Sequence, residues 1–224
     1  MSEPVKRAYD NAGRRARSEE TRERILDAAR RLMTANGYRA TTIADIARTA
    51  EVHLDSIYEL VGRKPALLRE LIERAISGSD RPVGPQDRGY VRAMQAEPDP
   101  ARKLSIYAAA VRDIQIRMAP LLVALRDAAS TEPEARAVWQ EIGDRRARNM
   151  RDLVRGLGPE GTLRPGLSVD EAADVLWATA AADVFLLLTV ERGWSADAYE
   201  RWLADTWRRL LLPDSRRRRP PDRS

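Results

Sequence analysis

"TTIADIARTAEVHLDSIYELV", residues 41–61, has the rhythm of two short helices joined by a tight turn. Thr42 can cap the first helix, and Asp45 three residues on completes a capping-box pattern, in which each side chain bonds the other's backbone N–H. Ile43, Ile46 and Ala47 share one helical face, and Ile57, Leu60 and Val61 share one in the second helix, so each buries a single side. The turn lies at Glu51 and Val52. His53, Leu54, Asp55 and Ser56 then make an exposed leading turn.

Flanking segments complete a four-helix unit. Upstream, Ser18 can cap a helix whose first turn holds Glu19 and Glu20, where negative charge is favoured by the dipole. Ile25, Ala29, Leu32 and Met33 mark its buried face, and Gly37 stops it. Downstream, Lys64 and Pro65 start a fourth helix that turns Ala66, Leu67, Leu71 and Ile72 inward. Residues 1–17, ending in "RRAR", are expected to be a mobile basic arm, and 18–77 one domain.

Residues 78–100 collect Gly78, Gly84, Pro82, Pro85, Pro98 and Pro100, a punctuated connector with room for a short helix from Asp87 to Ala96. A second domain, 78–213, opens on a helix marked by Leu104, Tyr107, Val111, Ile114 and Met118. Pro120 is expected to break it, with "LLVALRDAA" continuing as another helix. Thr131 and Glu134 frame the next start. Ser168 and Glu171 form a further capping box, and Gly193 closes that helix before the last one, which ends at Pro213. Residues 214–224 are a basic tail expected to be disordered.

Strand-like alternation is hard to find, so the chain is expected to be all-α. Of its 224 residues 43% are hydrophobic and 33% charged, a globular balance with a formal net charge of +5. That charge permits a polyanion partner without requiring one. With no Cys and a single His, His53, thiolate chemistry is excluded and a His-paired nucleophile is disfavoured. No metal or cofactor is expected. The amino terminus lacks an apolar core, and the greasiest stretch, 175–190, is interrupted by Asp183 and too short to span a bilayer. A cytoplasmic protein without a membrane partner is expected.

The segment from Thr21 to Leu71, with "RILDAARRLMTANGYRATTIADIARTAEV" (24–52) and "SIYELVGRKPALL" (56–68), resembles the DNA-binding domain of the TetR family of bacterial transcriptional regulators. "LRPGLS", "AADVLW" and "ERGWSADAYERWLADTWRRLL" are similar to the ligand and dimerisation domain of some actinobacterial members. The resemblance implies a homodimer that binds a double-stranded DNA operator and is released by a small effector. It makes the second helix the positioning helix and the third the recognition helix. Thr42, Tyr58 and Lys64 become phosphate contacts, which set register without reading sequence. The alternatives are that Thr42 only caps, Tyr58 only packs and Lys64 is only solvated. The chain departs from the family at Glu51, where Gly is usual, and at Leu54 and Asp55, where Lys and Gly are common. A non-Gly residue in a left-handed turn costs about 1–2 kcal/mol.

Residues 101–157 are then expected to surround the effector. The apolar candidates are Tyr107, Val111, Ile114, Met118, Leu122, Trp139, Ile142 and Met150, each of which could equally be ordinary core. Arg146, Asn149 and Asp183 interrupt apolar stripes, and an Arg146–Asp183 pair is conceivable because buried charges are paired. The final two helices carry apolar residues on more than one face, a width that asks for a second copy. Trp177, Val184 and Leu187 on the first, and Tyr199, Trp202, Leu203, Trp207 and Leu210 on the second, are the interface candidates. An enzyme is disfavoured because no motif gathers catalytic side chains. A regulator that has lost DNA binding stays open while the third helix is acidic.

Overall fold

The computed structural model describes residues 5–77 and 84–214, and among them every regular element is helical. In order these are α1 (Val5–Ala40), α2 (Ile43–Ala50), α3 (Leu54–Leu60), α4 (Lys64–Ser77), a single 3-10 turn (Pro85–Asp87), α5 (Gly89–Ala96), α6 (Pro100–Ala129), α7 (Pro133–Arg155), α8 (Val169–Thr179), α9 (Ala182–Leu186), a π-helical turn (Leu187–Glu191) and α10 (Ala196–Leu211). No single helix among the described residues is long and apolar enough to cross a membrane.

The chain divides into two compact units, Met1–Glu73 with Pro120–Trp139, and Arg74–Ala119 with Gln140–Ser224. In the first, Ile25, Leu26, Ala29 and Met33 of α1 are buried, as are Ile46 of α2, Ile57 of α3 and Leu67, Leu68, Leu71 and Ile72 of α4. Leu121 and Leu125 from α6 are buried in it as well. Ile43, Leu60 and Val61, expected inside, are half-buried. In the second, α10 buries Tyr199, Leu203, Trp207 and Leu211 at intervals of one helical turn. The Trp207 ring stacks on Tyr107 with centroids 5.4 Å apart, and its indole N–H donates to the Thr179 hydroxyl at 2.7 Å.

Three helix boundaries differ from the expectations. The start at Ser18 and the mobile arm give way to α1 from Val5, so "RRAR" lies on a helix; Arg, Ala, Lys and Glu are good helix formers and no Pro interrupts them. Gly37 does break the regular conformation, at φ 80° and ψ 167°. Pro120 breaks nothing, since α6 continues through it. A Pro inside a helix loses one backbone bond, and here buried Met118, Ala119, Leu121 and Leu122 offset that loss.

The long helix expected to run from Ser168 to Gly193 is the third case. It starts as expected, with the Ser168–Glu171 capping box in place, but divides after Thr179. Side chains from other helices take the carbonyls at the break. Gln115 donates to Ala180 O at 2.6 Å, the Tyr199 hydroxyl to Thr179 O at 3.3 Å, and Arg146 to Trp177 O. These bonds satisfy the orphan groups of a helix end, which allows the chain to turn. Gly193, at φ 69°, closes the segment as expected.

Candidate nucleic-acid interface

Local bonds set the shape of residues 41–61. The Thr42 hydroxyl accepts from the Asp45 N–H at 3.0 Å, and Asp45 Oδ2 accepts from the Thr42 N–H at 3.2 Å and from its hydroxyl at 2.6 Å. Both groups that Thr42 could offer a phosphate are therefore engaged. These bonds from Thr42, with one from Arg48, hold the Asp45 pKa below the usual carboxylate range. Glu51 then adopts φ 55° and ψ 50°, the sole left-handed non-glycine among the described residues. Its N–H closes α2 onto Arg48 O at 3.3 Å, so the departure from Gly keeps the turn and carries its strain.

Behind the turn α3 presents a solvent face. His53 at its N-cap makes no side-chain capping bond, and Leu54, Asp55 and Tyr58 are exposed, Leu54 at 43% and Tyr58 at 47%. Ser56 is half-buried and Ile57 anchors the opposite side. Apolar and aromatic side chains left this exposed on a seven-residue helix bring the fold less packing energy than buried ones would.

Two arginines that pattern analysis of the sequence misses hold this assembly. Arg22 of α1 donates its Nε to Leu60 O at 3.3 Å and pairs with Glu70 of α4 at 2.6 Å, so one side chain ties α1, α3 and α4. Arg24 donates to Ala50 O, the last residue of α2, at 3.3 Å. Each cation sits at a helix C-terminus, where the dipole favours positive charge. The contacts span 26 to 48 residues of sequence, and no short motif announces them.

The positive charges around α3 are partly matched within the chain. Arg48 pairs with Asp45 at 2.5 Å, and Arg63 with Glu134 at 3.5 Å. Lys64 is half-buried, with its ammonium over the Tyr38 ring at 3.9 Å. Burial pulls the Lys64 pKa down while the nearby Glu132 carboxylate works against that shift. Arg39 and the arginines of "RRAR" are exposed.

The other candidate residues divide in two. Leu122 and Trp139 belong to the first unit, and the remaining effector candidates to the second. There Tyr107, Val111, Met118, Ile142 and Met150 are buried and Ile114 is half-buried. The Tyr107 hydroxyl donates to Met150 Sδ at 3.2 Å. Arg146 is half-buried, donating to the Trp177 carbonyl and lying over its ring. Asn149 and Asp183, which interrupt apolar stripes in the sequence, are exposed. Asn149 stands at the edge of the α7 face, and Asp183 follows the break after α8. Among the interface candidates, Tyr199, Leu203 and Trp207 are fully buried in their own unit, a correction; they form the inward face of α10. Trp177, Leu187 and Leu210 are exposed, and Val184 and Trp202 are half-buried. Val190 and Trp194 extend the exposed apolar set.

A capped positioning helix, a tight left-handed turn and a short helix with a bare leading turn define a helix-turn-helix DNA-binding protein. Residues 25–71 match the family model described as bacterial regulatory proteins, tetR family, which places the match on α1 to α4. Comparison with curated protein sequences yields no significant match. Among solved structures, NalD, the secondary repressor of the MexAB-OprM multidrug efflux pump in Pseudomonas aeruginosa, aligns with TM-score 0.68 at 24% identity, over 88% of this chain and 99% of its own. A protein from Saccharomonospora viridis described as a transcriptional regulator, in complex with choline, aligns at 0.66 and 21%, over 87% and 99%. FadR from Bacillus subtilis in complex with stearoyl-CoA aligns at 0.67 and 17%, over 83% and 96%. At these identities the likeness is one of fold.

Proposed function

We propose that the chain binds an imperfectly palindromic operator as a homodimer, most simply as a repressor, and that a small, mostly apolar effector releases it. The observation that carries the DNA reading is the solvent-facing leading turn of α3, with His53, Leu54, Asp55 and Tyr58 exposed while Ile57 is buried. In this reading residues 18–77 are the DNA-binding domain and 78–213 the effector and dimerisation domain. Tyr58 and Lys64 contact phosphate, with Thr42 adding its cap geometry. Leu54 packs on a thymine methyl, and Asp55 accepts from cytosine N4. The acid helix is compatible with DNA because Arg39, Arg48, Arg63, Lys64 and "RRAR" surround it with positive charge.

Dimerisation is supported by Trp177, Leu187, Val190, Trp194 and Leu210, large apolar side chains left exposed on α8, the π-helical turn, the loop after it and α10. An effector is supported by the choline and the stearoyl-CoA in two proteins of the same fold. Footprinting on fragments selected from the source genome tests the arrangement. Two protected half-sites about 34–36 Å apart, or near a multiple of it, are expected. Full affinity for one unpaired half-site would sink it. Asp55→Asn should relax base preference at one position in each half-site; an unchanged preferred sequence would make Asp55 a helix-start residue only.

A further inference from the structure

The second unit holds cationic and polar groups that its own carboxylates do not match. Arg146 reaches from α7 to the end of α8, where its guanidinium donates to the Trp177 carbonyl and lies 5.0 Å from the Trp177 ring centroid. Desolvation holds its pKa below the ordinary guanidinium value, and only the Tyr107 and Tyr199 hydroxyls act against that shift. Among the described residues neither Arg146 nor Arg88 is in an ion pair, whereas Arg112 and Arg151 of the same unit are. Arg88 has its Nε buried without a partner. Gln115 is 2% exposed, and it donates Nε2 to Ala180 O while its Oε1 is buried with no partner.

Tyr107 connects these groups. Its ring stacks on Trp207 and lies 6.1 Å from that of Tyr90, two residues after Arg88, and its hydroxyl donates to Met150 Sδ, four residues after Arg146 on α7. Gln115 lies eight residues further along α6, about 12 Å at 1.5 Å per residue. Trp207, Arg146 and Gln115 all converge on the break after α8, through Thr179, Trp177 and Ala180. Buried polar atoms in native proteins are nearly always paired, so an unmatched donor on Arg88 and an unmatched acceptor on Gln115 describe what a bound molecule would offer.

We propose that this cluster is a site for an acidic amphiphile, its apolar body against Tyr107 and Trp207 and its carboxylate on Arg146 and Arg88. A hydrogen-bond donor at the far end of the molecule reaches Gln115 Oε1. The inference rests on the effector reading and narrows it to acids. Guanidinium groups without acidic neighbours repel a quaternary ammonium, so the preference is opposite in charge to the choline held by the S. viridis protein. Half-buried Arg146 and exposed Trp177 give access from solvent. A carboxylate on Arg146 competes with the Trp177 carbonyl, at the helix end that starts the exposed apolar face.

Calorimetric titration of the full chain, without DNA, tests the site with octanoate, indole-3-acetate, the amide of each, and choline. At least one acid should bind about tenfold or more tighter than its own amide, because a charged pair is roughly twice as strong as a neutral bond, and choline should not bind. Arg146→Gln should remove part of the acid's advantage over its amide without changing the amide, and Arg146→Lys should recover part of that loss. Arg88→Gln, away from the helix break, should weaken the acid independently and covers the case in which Arg146→Gln fails to fold. Acids binding no better than their amides, or choline binding in preference, overturns the proposal. Fluorescence anisotropy on operator-bearing DNA separates the two readings. An acid that binds through Arg146 without releasing DNA leaves the site standing and removes its effector role. A neutral compound that releases DNA while no acid binds does the reverse.

Discussion

Replacing Glu132 and Glu134 with Gln should tighten DNA binding while leaving the fold almost unchanged. Glu134 Oε1 lies 3.5 Å from Arg63 Nη1, with the two side chains 63% and 79% exposed. Such an exposed pair contributes only about 0–1 kcal/mol to stability, because water and salt screen it. Glu132 acts on the half-buried Lys64 beside Tyr38. If Arg63 and Lys64 meet phosphate, both acids compete with DNA for the same cations. Relieving about 0.5 kcal/mol at each cation gives about 1 kcal/mol per subunit and about 2 kcal/mol per dimer, a gain of roughly thirtyfold at low salt. The gain should shrink near physiological ionic strength, where the Debye length is about 8 Å. Anisotropy titrations of the double variant at two salt concentrations, with urea unfolding as the control for folding, measure both quantities. Unchanged or weaker affinity in a folded variant would refute the reasoning, since neither cation could then be facing phosphate.

Glu51→Gly should stabilise the protein by about 0.5–1 kcal/mol, the left-handed strain relieved less the entropy that Gly adds to the unfolded chain; destabilisation in urea would show that Glu51 makes a compensating contact. Leu187→Glu should split the proposed dimer with the protomer still folded, whereas Trp207→Ala, in the core, should cost about 3–5 kcal/mol of folding stability. Light scattering beside urea unfolding distinguishes them, and a folded monomer from Trp207→Ala would contradict the packing of α10. Asp45 and Glu171 have pKa values held below their ordinary 3.8 and 4.5 by capping bonds to Thr42 and Ser168. For such groups the stabilisation is complete above the ordinary values and is lost as pH falls through the lower folded ones. The double variant Asp45→Asn, Glu171→Gln should therefore lose less stability than the parent between about pH 5 and pH 3, and an equally steep loss would assign the acid limb to other groups.

What was legible in the sequence was local. The Thr42–Asp45 and Ser168–Glu171 boxes are three-residue patterns, and both formed because every atom they need lies within one helical turn. The exposure of residues 53–55, though not of half-buried Ser56, followed from the periodicity of their neighbours, and Gly37 and Gly193 followed from their conformational freedom. Long-range contacts were not legible. Nothing in "DRRA" (144–147) or "VLWA" (175–178) says that Arg146 meets a carbonyl on α8, or that capture of three carbonyls divides a segment whose composition reads as one helix. The apolar faces of α10 showed the same limit. Spacing identified Tyr199, Leu203 and Trp207 as one stripe and Trp177, Leu187 and Leu210 as apolar, but which stripe faces inward is decided by the partners that fill it.

The strut made by Arg22 has a consequence for how this protein can change. The orientation of α3 depends on a carbonyl at its far end, on Glu70 and on buried Ile57, all on the side away from solvent. His53, Leu54, Asp55 and Tyr58 can then be exchanged at small thermodynamic cost, since surface substitutions usually shift stability by less than about 0.5 kcal/mol. Support and the proposed recognition face are carried by separate atoms of a seven-residue helix. A lineage of such proteins could drift from one DNA target to another through stably folded intermediates, with Arg22 and Glu70 unaltered throughout.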